Sequence, residues 1–265
     1  MKVKMSSLAK TVSLLICLCF LSISGAAQKT DEKAEAILKK AVQVLGGENY
    51  LKVKTQIGRG RFSLMRDGMI GSFQNFIDVV VAPDKERTEF KAFGSKNVQT
   101  NVGDTGWIFD GDAQVINVQN ETQIKDFKRS LNVSLDNLLR EHWRGKAALG
   151  YVGKREATLG KRNDIIKLTY DDGLAVEFEF SAEGLPMKAI YARTNPDGEG
   201  SKEEDRYAQF VDVQGIKTPF IIDHFSGGKL VSRINYESIE FNKSIPDSIF
   251  AKPNSPKDLK KDLKL

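Results

Sequence analysis

The chain has 265 residues, a formal charge of +5 and only two cysteines and two histidines. Three of its 40 basic residues, Lys2, Lys4 and Lys10, fall in the first 27 positions, which hold no acid, so the remainder is close to neutral and carries no electrostatic footprint for nucleic acid. Both cysteines, Cys17 and Cys19, also fall there, which leaves the rest without disulfides, zinc–thiolate sites or a cysteine nucleophile.

Those first 27 residues read as a signal peptide. The three lysines form a positive n-region, Val12 to Ile23 is a short apolar core, and Ser24-Gly25-Ala26-Ala27 offers small residues for cleavage near Ala27. Ile16 and Leu18 precede the cysteines where a lipid-processing site needs a small residue, so no lipid anchor is expected. The expectation is an exported, periplasmic protein, with a single domain over 28–253 and a C-terminal tail over 254–265.

The chain then opens on a helix. Thr30 is the expected cap, Asp31 and Glu32 occupy the first turn, and Ala34, Ile37, Leu38, Ala41, Val42 and Leu45 form one apolar stripe that Gly46-Gly47 ends. From Val53 to Val118 the pattern becomes alternating, punctuated by Asp67-Gly68, Ala82-Pro83-Asp84, Gly94-Ser95 and Asp110-Gly111. These connections are too short for crossover helices, so the strands form an antiparallel meander.

Asn120 to Gly145 interrupts it. Asn120 with Gln123 resembles a capping box, and Ile124, Phe127 and Leu131 follow at helical spacing. A second helical turn starts at Ser134 and carries Leu135, Leu138, Leu139 and Trp143. Strands resume with Lys154–Leu159, Ile165–Tyr170 and Leu174–Ser181, in which Phe178 and Phe180 share one face. A polar loop is expected over Asn195–Asp205. Arg206–Phe241 then forms three strands, with Ile216, Phe220 and Ile222 on one face and Ile221 and Phe225 on the other. One of these faces is expected to pack on the first helix and the other to form the wall of a groove.

The arrangement resembles the LolA/LolB-like family of periplasmic outer-membrane lipoprotein-sorting proteins. The resemblance rests on the helix ending Leu45-Gly46-Gly47, the strand end Trp107-Ile108-Phe109-Asp110-Gly111 and the mid-chain helical insertion. Tyr207 to Pro219 and the closing Ile245-Pro246-Asp247-Ser248-Ile249-Phe250 complete it. It implies a mainly β (α+β) fold, an unclosed antiparallel half-barrel of about eleven strands with an N-terminal helix and a mid-chain helical lid. It also implies a non-enzymatic carrier or chaperone of lipoprotein acyl chains or other lipids in outer-membrane biogenesis. Membrane-embedded lipoprotein-release or acceptor proteins would be its partners, and the carrier would be a monomer. Carried onto this chain, groove and lid residues are Phe62, Phe73, Phe90, Trp107, Phe109, Phe127, Leu131, Leu138, Trp143, Phe178, Phe180, Phe220 and Ile222. An envelope sensor or assembly module of the same fold, its groove filled by its own helices, is the alternative.

No chemistry competes with this reading in the sequence. His142 and His224 stand on different elements and outside any zinc-binding spacing, so no metal or cofactor is expected, and His224 could pair with Asp223 or another carboxylate. Asp110-Gly111-Asp112 and Asp171-Asp172-Gly173 lack the further oxygen ligands of a calcium loop and read as turns. Gly58-Arg59-Gly60-Arg61 lies inside a strand with no helix after it to hold a phosphate, and no Gly-x-Ser-x-Gly elbow occurs.

Overall fold

A computed structural model describes residues 31–158, 160–194, 198–259, 263 and 265; the expected signal peptide and the expected cap Thr30 lie outside them. Asp31 caps the first helix, α1 (Glu32–Leu45), by accepting the backbone N–H groups of Lys33 and Ala34 at 3.0 and 3.3 Å. Gly46, at φ 130°, ends it where an added Cβ would stand 2.6 Å from the Gly215 carbonyl oxygen. A single turn, α2 (Glu48–Leu51), leads into the sheet.

Among the described residues thirteen strands form one antiparallel sheet, two more than expected. The first six are β1 (Thr55–Arg66), β2 (Met69–Val81), β3 (Lys85–Ala92), β4 (Ser95–Val102), β5 (Thr105–Asp110) and β6 (Val115–Val118). After the helices α3 (Glu121–Val133) and α4 (Leu135–Leu139) come β7 (Ala147–Thr158), β8 (Lys161–Tyr170), β9 (Ala175–Phe180) and β10 (Pro186–Thr194). The last three are β11 (Gly200–Val213), β12 (Ile216–Ser226) and β13 (Lys229–Phe241). The polar stretch expected as a loop to Asp205 is strand from Gly200, because Ser201 to Asp205 pair with β10 from Arg193 to Ala189.

Each meander half is consecutive, and the two are joined where β1 pairs with β13, so β6 and β7 are the free edges of an unclosed sheet. The inner face of β7–β12 packs on α1 and α4. Leu38, Ala41 and Leu45 meet Ile166, Leu168, Val176, Phe178 and Phe180 in the main core. The outer face of β1–β5 is covered instead by the chain end: Phe250 packs with Ile57 and Val79, and Leu259 with Val98, Trp107 and Phe109. Trp107 donates its indole N–H to the Phe250 carbonyl at 2.9 Å, and Arg87 donates to Ile249 O. The chain end from Ile249 to Leu259 is therefore packed against this face.

The final three strands correct one expectation. Ile216, Phe220 and Ile222 do share a face, but α1 and α4 lie on that same inner side: Ile216 belongs to the core they form, and Phe220 and Ile222 are half-buried against it. Ile221 and Phe225 point outward, where Arg206 stacks on Phe225 at 3.9 Å.

Candidate functional site

The inner face of the sheet is unevenly filled. Where β12, β13 and β1–β3 adjoin, register aligns two apolar rows across the strands. One runs Ile222–Ile234–Phe62. The other runs Tyr236–Gly60–Phe76–Phe90. Phe62 meets Phe90 edge-on at 5.7 Å, Phe76 meets Tyr236 at 5.4 Å, and Phe220 meets Tyr236 at 6.4 Å. Except for Phe76 these side chains are only partly covered, although they face inward.

Two glycines make this wall possible. A Cβ on Gly58 would lie 2.5 Å from Cε1 of Tyr236, and one on Gly60 would lie 2.1 Å from the Asn235 carbonyl oxygen. The β1–β13 register shifts between these positions, at Arg59/Gly60, and the Tyr236 ring lies against the bare backbone. The Gly-x-Gly of this strand thus serves close packing, which is the signal that could have pointed to Tyr236.

The next row along is polar. Thr88 donates its hydroxyl to Asp78 at 2.7 Å and approaches Glu86 at 3.4 Å. Burial raises both carboxyl pKa values, Asp78 well above the usual range, and the neighbouring Glu86 charge adds to the effect on Asp78. The same burial, with the charges of Asp78 and Glu86, lifts the Tyr236 hydroxyl. Farther round, His224 contacts Asp205 at 2.7 Å through Nδ1 and Glu203 at 3.1 Å through Nε2, and the hydrogen bond to Asp205 is the main cause of its raised pKa. Asp223, the neighbour in sequence, instead takes a bidentate pair from Arg233 on the outer side. Adjacent residues of a strand face opposite ways.

Helix α3 lies between the β3–β5 side of the sheet and β10. Its capping box is present, with Asn120 accepting from Gln123 N at 3.0 Å and Gln123 accepting from Asn120 N at 2.9 Å. Only Phe127 and Val133 of its length are buried. Beneath it lies a cavity of about 380 Å³ bounded by Glu86, Gln99 and Ile108 on one side and Tyr191 and Arg193 on the other. Light ties hold the helix: Lys128 pairs with Asp104, Arg129 donates to the Ala192 carbonyl at 2.6 Å, and Asp126 lies 3.9 Å from Arg193. The break before α4 is anchored more firmly. Asn137 donates to Asn132 O at 2.9 Å and to the Tyr170 hydroxyl at 2.7 Å, and Tyr170 donates to Asn132 O at 3.0 Å.

Of the residues expected from sequence, Phe62, Phe90, Phe220 and Ile222 stand on this wall, and Phe127 and Leu131 on α3. Leu138, Trp143, Phe178 and Phe180 are sealed in the core under α1 and α4. Trp107 and Phe109 lie on the opposite face under the tail. Phe73 also points to that outer side, exposed beneath Arg61 at 4.8 Å. Sequence reading missed Ile234, Tyr236 and the Asp78–Thr88–Glu86 group. The group was hidden because β2 and β3 carry charged or apolar residues on both faces.

Taken together, an open antiparallel sheet with a filled half, a partly exposed half and a helix between its two sides defines a helix-lidded half-barrel. No protein-family model matches the chain, and no curated protein matches its sequence. Solved structures do resemble it. A DUF1329 family protein from Desulfovibrio piger aligns with TM-score 0.58 and 13% identity over 84% of this chain and 98% of its own. A LolA superfamily protein from Nitrosomonas europaea aligns with TM-score 0.56 and 16% identity over 83% and 97%. A domain named for outer membrane lipoprotein sorting, from Vibrio parahaemolyticus, aligns with TM-score 0.53 and 11% identity over 82% and 97%. The chain has a LolA-like fold.

Proposed function

We propose that this protein is a non-enzymatic, periplasmic carrier or binder of lipoprotein acyl chains or other lipids. The observation that supports it is the partly exposed inner wall of Phe62, Phe90, Phe220, Ile222, Ile234 and Tyr236. A sheet face that points inward and is still partly exposed can bury apolar ligand surface at about 0.8 kcal/mol per methylene. The names of two structural neighbours, a LolA superfamily protein and a lipoprotein-sorting domain, agree with such a cargo. In this reading the acyl chain lies along the two apolar rows, and α3 swings aside to admit it, breaking the ties of Lys128 and Arg129.

Organic extraction of the purified protein followed by mass spectrometry tests the proposal, together with displacement of a hydrophobic dye by a long-chain fatty acid. Co-purifying lipid and competitive displacement are expected. No lipid and no competition would sink it. The second reading, a sensor or assembly module with a self-filled groove, draws on the other half of the molecule, where α1 and α4 already occupy the space over Phe178 and Phe180.

A further inference from the structure

Two neighbouring hairpin turns at one rim of the sheet display apolar side chains to solvent. The β1–β2 hairpin extends beyond its last paired residue on β3, since β2–β3 pairing begins at Asn75. Its tip carries Met69, 72% exposed, and Ile70, 62% exposed, with Leu64 and Phe73 also exposed behind them. The β3–β4 turn emerges beside it, because Lys91 pairs with Asn75, and presents Phe93 at 96% exposure.

Phe93 has no packing reason to be there. It occupies the first turn position before Gly94, at φ 50°, a conformation that Asn, Asp or Gly adopts at less cost. The equivalent turn one hairpin away uses Asp67-Gly68 at φ 52° and 78°. An aromatic ring held in a left-handed turn, with almost all of its surface in water, gains nothing within the fold.

The surrounding charge selects a partner. Residues 61–75 and 90–95 carry Arg61, Arg66 and Lys91 against Asp67 as the one acid. Lys96 pairs with the buried Glu89 at 3.0 Å and so adds no net charge to this rim. Apolar tips ringed by cations match a lipid surface, where the side chains enter the acyl boundary and the cations meet anionic headgroups.

We infer that the β1–β2 and β3–β4 turns form a docking surface for a bilayer bearing anionic lipid, with Met69, Ile70 and Phe93 as the inserting residues. The surface is separate from the inner groove and does not depend on what the groove holds. It would set the protein on a membrane with the rim beside Phe62 and Leu64 turned towards the lipid.

Phe93→Trp supplies a reporter, because Trp107 and Trp143 are 4% and 3% exposed and already shielded from water. Vesicles of phosphatidylethanolamine with phosphatidylglycerol should shift its emission to the blue and co-sediment the protein, less so as salt rises. Pure phosphatidylcholine vesicles should bind more weakly. Met69→Ser/Ile70→Ser/Phe93→Ser should weaken partitioning by about tenfold or more while its thermal midpoint and hydrophobic-dye binding stay unchanged. An unshifted reporter with the protein left in the supernatant at low salt would overturn the inference. So would undiminished vesicle binding by the triple variant. Self-association of the wild type, abolished by the triple variant and seen by light scattering, would overturn it in favour of a second copy as the partner.

Discussion

The two halves of the inner face use similar residues to opposite ends. Over β7–β12, α1 and α4 pack Leu38, Leu45, Leu138 and Leu139 onto the sheet, and Phe178 and Phe180 are fully buried. Over β12, β13 and β1–β3, aromatic residues face the same way but stay partly exposed, Phe220 and Tyr236 only flanking that core, and α3 buries just Phe127 and Val133 of its own length. Aromatic content alone therefore does not mark a binding wall. What separates core from groove is whether a second layer with its own apolar stripe lies opposite.

The largest effect that should separate the halves is on stability. Phe178→Ala should cost about 3–5 kcal/mol in urea unfolding, because it leaves a cavity in a packed core. Phe90→Ala should cost far less and instead weaken hydrophobic-dye binding by roughly tenfold, as expected for one aromatic contact. Equal stability losses would erase the distinction. Trp107→Phe provides a contrast on the outer face. It should cost about 1–2 kcal/mol through the lost hydrogen bond to Phe250 and leave dye binding intact.

The polar row offers a pH test. Asp78 and Glu86 bind protons more tightly folded than unfolded, so their burial destabilises fully above their raised folded-state pKa values and is relieved as pH falls towards the ordinary values of 3.8 and 4.5. His224 acts in the same sense: its stabilisation is complete below 6.5 and is lost as pH rises through its raised folded value. Asp78→Asn should therefore stabilise the protein at pH 8 more than at pH 5 in paired denaturant titrations. A gain independent of pH would point to repacking instead.

The smallest effect concerns α3. Arg129→Leu removes the tie to Ala192 O and should raise amide exchange within α3 several-fold, with little change in global stability. Exchange unchanged from wild type would show that Phe127 and Val133 hold the helix without that tie.

Local rules made much of this fold legible from the chain. The Asn120–Gln123 capping box, the Gly46 helix stop, the turn at Asp67-Gly68 and the alternation around Phe178 all depend on neighbours within a few residues. The β meander follows from them, because short connections leave antiparallel pairing as the available arrangement. Which aromatic residues reach the groove depends on contacts far apart in sequence. Trp107 is withdrawn by a tail more than a hundred residues downstream, and Tyr236 enters because Gly58 and Gly60 of a distant strand make room for its ring. Alternation assigns a side chain to one of two faces. Only the packed layers decide which face is inner, which is strapped, and which part of the inner face remains open.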